Sequence, residues 1–116
     1  MYRKTVDELQ NDQREKLVID IRSEEDYTKE TYPGAKHIFW ETFMDHIGEI
    51  PEDQPVYLFC YTGQRSDEIA EELSDKGYEI YSIEGGYRSY LRKKLADFMK
   101  EDDGTAERLA DKGREV

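Results

Sequence analysis

The chain has 116 residues, one cysteine, 36% hydrophobic and 39% charged residues and a net charge of −11, which fits one domain with one modest core. The acidity disfavours nucleic acid and anionic membranes as partners, because both need a basic contact surface. A lone cysteine excludes an intrachain disulfide and a cysteine-based zinc site, and no apolar run approaches the ~20 residues of a membrane span.

Thr5-Val6-Asp7-Glu8 has capping-box form and predicts a short helix over 6–12. Leu17 to Ile21 reads as a buried strand, and Ser23 caps a second helix that opens with Glu24, Glu25 and Asp26. That helix ends before the Tyr32-Pro33-Gly34 turn. Residues 35–40 read as a short strand with Ile38 and Phe39 toward the core, and 41–50 as a helix around Phe43, Met44 and Ile47.

Val56 to Cys60 is the strongest strand, a continuous apolar run of the kind buried on both faces. A helix follows over 66–76, with Ile69, Ala70 and Leu73 on one face and Gly77 at its end. Ile80 to Ile83 is a further strand. From Tyr87 to Met99 the spacing of Tyr87, Tyr90, Leu91, Leu95 and Phe98 is helical, with Arg88, Arg92, Lys93 and Lys94 on the opposite face. The reading divides the chain into a domain over 1–100 and an acidic tail or frayed helix over 101–116. Strands alternating with helices predict an α/β fold with a mostly parallel sheet, whose sites lie at the carboxyl ends of strands.

Cys60 stands at such an end, in Cys60-Tyr61-Thr62-Gly63-Gln64-Arg65-Ser66. Gly63 lets the backbone bend, so that several N–H groups converge above the sulfur. The helix start near Ser66 adds positive potential, and Arg65 adds a permanent charge. Together they favour a thiolate nucleophile and stabilise a persulfide anion on it. The plain alternative is an inert buried thiol. Against it stand the glycine, the arginine and the helix start that follow.

The loop resembles the active-site loop of the rhodanese homology domain, C-x-x-G-x-R-[ST]. Leu17-Val18-Ile19-Asp20-Ile21-Arg22 resembles the family's strand ending in Asp-x-Arg. Pro33-Gly34-Ala35-Lys36-His37-Ile38 and Ile83-Glu84-Gly85-Gly86-Tyr87 resemble its later elements, in the family's order. The resemblance implies a rhodanese-like, five-stranded parallel sheet with helices on both faces. It implies a sulfurtransferase of the thiosulfate type that needs no cofactor and no metal. Cys60 would be the nucleophile and Arg65 a substrate or loop-stabilising cation. Tyr61, Thr62, Gly63, Gln64 and Ser66 would form the substrate cradle. The partners implied are a small sulfur donor, thiosulfate or a persulfide, and a thiol or protein acceptor.

This chain departs from the family in carrying Tyr61 where many members have Arg or Lys, which shifts weight from thiosulfate to a partner's persulfide. The absence of an apolar leader after Met1-Tyr2-Arg3-Lys4 predicts a cytoplasmic location. Two rival functions are a cysteine phosphatase or arsenate reductase, whose loops are one residue longer, and a relay module that docks a partner without catalysis. His37 and His46 are too isolated for a metal site. Asp20 and Arg22 read as a structural pair, Trp40 as core or groove wall, and Tyr87 as a border of the pocket.

Overall fold

A computed structural model describes the backbone of residues 2–110 and the side chains of 2–100. Five strands, β1 (Arg3–Lys4), β2 (Leu17–Asp20), β3 (Lys36–His37), β4 (Val56–Phe59) and β5 (Ile80–Ile83), form one sheet in the order β1-β5-β4-β2-β3. Every pairing is parallel. The helices are α1 (Val6–Asn11), α2 (Glu24–Lys29), α3 (Gln64–Ser74) and α4 (Gly86–Ala110), with a 3₁₀ segment over Trp40–Glu49.

Alternation along β4 explains the layers. Val56, Leu58 and Cys60 join Ile19, Ile21, Ala70 and Leu73 in the core on the α3 side. Tyr57 and Phe59 join Val6, Leu9, Tyr87 and Tyr90 in a second core under α1 and α4. The central strand is thus buried on both faces, as its unbroken apolar run requires. Full burial of a side chain such as Leu73 contributes about 1.5–3 kcal/mol.

The termini follow local chemistry. Thr5 and Glu8 close a reciprocal capping box on α1. The Ser23 side chain accepts the Asp26 N–H and starts α2.

Several sequence expectations are corrected. The strand expected over 35–40 is reduced to the two residues of β3, an edge strand paired only with β2. The chain then turns at Phe39 into the 3₁₀ segment, kinked at His46, where an α-helix was expected. Phe39 is only partly buried and Met44 is exposed. β1 was not anticipated, because two residues carry no periodicity; its register is fixed only by β5. In α4 the expected stripe is buried at Tyr87 and Tyr90 alone, and Leu91, Leu95 and Phe98 are exposed. The α4 backbone continues through part of the expected tail, to Ala110, and residues 111–116 lie outside the described residues. Among the described residues no helix is long and apolar enough to cross a membrane.

Candidate active site

The carboxyl ends of β4 and its neighbour β2 meet one cleft of ≈250 Å³. Ile21, Arg22 and Ser23 line it from the β2 side, Phe39 and Trp40 from the 3₁₀ segment, and Cys60, Tyr61, Thr62, Gln64 and Arg65 from the loop after β4. Cys60 is the one cysteine, only 4% exposed.

Gly63 makes the loop. Its φ of +102° is left-handed, and it serves as the N-cap of α3, so the helix opens at Gln64, two residues earlier than the sequence suggested. The N–H of Gly63 donates to Cys60 Sγ at 2.9 Å, and that of Ser66 does so at 3.5 Å. Gln64 and Arg65 hold the first two positions of α3, where backbone N–H groups have no intrahelical acceptor. The donors and the helix dipole together form an anion-binding concavity around the sulfur.

Ser66 was expected in the substrate cradle. Its side chain is fully buried: Oγ lies 3.4 Å from Cys60 Sγ, 2.6 Å from Ser82 Oγ and 3.2 Å from the Gly63 carbonyl, to which it donates. Ser66 therefore meets the sulfur from within the protein. Ser82, also fully buried, escaped the sequence reading because a serine inside a strand carries no motif. Strand parity was the available signal: Ser82 alternates with Tyr81 and Ile83 and so shares the face of Ile80, toward α3.

Arg65 does not contact the sulfur in any hydrogen bond. Its guanidinium lies 4.0 Å from the Trp40 ring, with Glu68 Oε1 3.7 Å from Nη1, and the side chain is half exposed at the rim. Trp40 is thus a groove wall and a platform for the cation. Tyr61 projects into solvent, 58% exposed, with the Arg88 guanidinium 5.9 Å from its ring.

Asp20 and Arg22 form a buried pair. Arg22 Nη2 donates to Asp20 Oδ2 at 2.7 Å and to the Glu30 carbonyl, and Thr31 Oγ donates to the same Asp20 oxygen. Arg22 also lies 3.9 Å from the Tyr87 ring. Its charge is consumed in holding the β2 end of the cleft, which makes the pair structural.

Tyr87 does not line the cleft. It packs against Phe59 on the opposite face of the sheet, where burial, followed by the nearby Glu30 carboxylate, pushes its phenol up to about 12. Its backbone bears on the loop: the Tyr87 N–H donates to the Cys60 carbonyl at 2.7 Å, and the Arg88 N–H to the Tyr61 carbonyl at 3.2 Å. Gly86, at φ +64°, permits this approach. A Cβ there would sit 2.6 Å from the Cys60 and Tyr61 carbonyl oxygens and 2.7 Å from the Gly63 nitrogen. The sequence offered Gly85-Gly86 only within the segment that resembles a later family element, not as the clamp on the Cys60 loop.

The comparisons agree with the fold. A family model of the rhodanese-like domain matches residues 3–93. A tRNA sulfurtransferase of Desulfurococcus amylolyticus is 38% identical over 95 residues, covering 79% of this chain and 18% of that protein. The chain thus spans less than a fifth of the length of that curated relative. A rhodanese-like domain protein from Staphylococcus aureus superposes with a TM-score of 0.70 at 28% identity, over 78% of this chain and 91% of that one. A rhodanese-related protein from Thermoplasma volcanium gives 0.74 at 20% identity over 80% and 93%, a likeness of fold.

Proposed function

The chain belongs to the rhodanese-like domain family, and we propose that it is a sulfurtransferase-type domain that carries sulfane sulfur as a persulfide on Cys60. The observation that carries this reading is the Sγ held by the Gly63 and Ser66 N–H groups at the floor of an open cleft. In the first step the Cys60 thiolate attacks the outer sulfur of a donor, R–S–S⁻ or thiosulfate. A new S–S bond forms at Cys60 as the donor S–S bond breaks, and R–S⁻ or sulfite leaves with the electron pair. A thiolate or cyanide then attacks the outer sulfur, and Cys60 leaves as thiolate. The exchange is balanced and needs no external oxidant or cofactor.

The cleft favours an organic persulfide over free thiosulfate as donor. The residue after the cysteine is the exposed Tyr61, not a cation, and the Arg65 charge is drawn onto Trp40 and toward Glu68. An inorganic dianion entering a chain of net charge −11 meets the backbone donors at the sulfur and a single cation, Arg65, at the rim. A carbon-bound persulfide carries less charge and gains contact with Phe39, Trp40 and Tyr61. The acidity also argues against direct contact with tRNA phosphates. The step proposed in common with the Desulfurococcus relative is therefore the movement of sulfur, with a thiol as acceptor here.

Intact mass after incubation with glutathione persulfide or thiosulfate tests the reading. A gain of one sulfur (~32 Da), removed by cyanide and absent in Cys60→Ser, supports it. No gain with either donor sinks it.

A further inference from the structure

The exposed stripe on α4 has no counterpart in the sulfur chemistry. Leu91, Leu95, Phe98 and Met99 follow the i, i+4, i+7, i+8 spacing of one helix face, and they are 39%, 59%, 60% and 52% exposed. Contiguous apolar surface of this kind marks an interaction site.

The charges beside the stripe say what covers it. Residues 86–95 hold Arg88, Arg92, Lys93 and Lys94 and no acid, whereas 97–103 hold the four acids Asp97, Glu101, Asp102 and Asp103 against one cation, Lys100. This order opposes the helix's own dipole, which favours acids at the N-terminus and cations at the C-terminus; the first turn of α4 has no acidic residue. Lys93 is engaged by Asp7 at 2.7 Å and Lys94 by Glu30 at 2.8 Å. Among the described residues Arg88 and Arg92 have no acidic partner.

We propose that α4 pairs antiparallel with α4 of a second copy of this chain. A two-fold axis crossing the helix near Asp97 sets residues 88–94 beside residues 100–106 of the other copy, where the sequence has Glu101-Asp102-Asp103. The same axis sets Leu95 opposite Met99. The antiparallel order brings acids to the N-terminal half of each helix and opposes the two dipoles. A parallel pair would set like charges side by side. An anionic lipid surface would meet the acidic run, and a basic peptide would match only half of the stripe.

Light scattering on size-exclusion fractions, over about 5–200 µM protein, tests the pairing. The expected species has twice the 13.7 kDa chain mass. Leu95→Glu with Phe98→Glu weakens the dimer by ~100-fold or more. Because both side chains are exposed, this variant keeps its circular dichroism and its sulfur loading on Cys60. Arg88→Glu with Arg92→Glu, and separately Glu101→Lys with Asp102→Lys and Asp103→Lys, each weaken self-association, and an equimolar mixture of the two variants restores a dimer. A wild-type chain that stays at 13.7 kDa at every concentration overturns the proposal. A dimer that survives the Leu95/Phe98 change, or a mixture that recovers no dimer, also overturns it.

Discussion

The Ser82 hydroxyl lies 2.6 Å from the Ser66 hydroxyl, which in turn lies 3.4 Å from the Cys60 sulfur. A thiolate can only accept hydrogen bonds. With Cys60 ionised, the Ser66 hydroxyl turns from the Gly63 carbonyl to donate to the sulfur and accepts a hydrogen bond from Ser82. Ser82→Ala is therefore expected to slow single-turnover sulfur loading by ~3–10-fold and to cost about 1 kcal/mol of stability. Ser66→Ala is expected to be slower still, with Ser66→Thr recovering part of the rate. Donor affinity stays unchanged in all three, since both hydroxyls are sealed from the cleft. A weakened affinity in Ser82→Ala would contradict the arrangement.

Arg65 acts at the rim, on the Trp40 ring. Its charge should draw anions toward the sulfur, and Trp40 should hold it in place. Iodoacetate and iodoacetamide differ in charge and little in size. In Arg65→Ala the ratio of their alkylation rates at Cys60 is expected to fall ~3–10-fold, with a smaller fall in Trp40→Ala. An unchanged ratio would assign the sulfur's anion affinity to the backbone donors alone.

Gly86 is the tightest point of the site. In Gly86→Ala the new methyl meets backbone at 2.6–2.7 Å, at a φ that disfavours side chains, so the loop must move. The expected cost is ~3 kcal/mol together with loss of sulfur loading. At Gly63 the nearest contacts are 3.3–3.4 Å and the strain is mainly that of φ +102°. Gly63→Ala should cost less, about 1–2 kcal/mol. Thermal melts of the two variants give the order directly, and the reverse order would be inconsistent with the clamp.

At the opposite end of the sheet, Arg14 donates two side-chain hydrogen bonds to Asp12, and the Tyr57 hydroxyl donates a third at 2.6 Å. These bonds, Arg14 first, hold the Asp12 carboxyl below its ordinary value. A depressed carboxylate contributes stability that is complete above its unfolded value of ~3.9 and is lost as pH falls through the folded value. Asp12→Asn is therefore expected to lower the unfolding free energy from urea melts at pH 7 by on the order of 1 kcal/mol, with the gap closing below about pH 3. A gap independent of pH would show that the carboxylate's charge plays no part.

Local chemistry made much of this protein legible from its residues alone. The unbroken run Val56–Cys60 announced a central strand, because a strand covered on both faces has no polar side to display. Thr5 and Ser23 marked helix starts, because caps act within three residues. The cysteine, glycine and helix start of the loop lie within seven residues, so the convergence of N–H groups on the sulfur was readable in one dimension.

Tertiary structure decided what depends on partners far along the chain. Ser82 reaches Ser66 only because β5 pairs with β4, and Gly86 clamps the loop only because α4 starts beside Cys60. Trp40 captures Arg65 only after the chain turns out of β3. The α4 pattern was a correct sign of a helix but a false sign of burial beyond Tyr90. Periodicity specifies which side chains share a face, and only the folded body determines whether anything lies against that face.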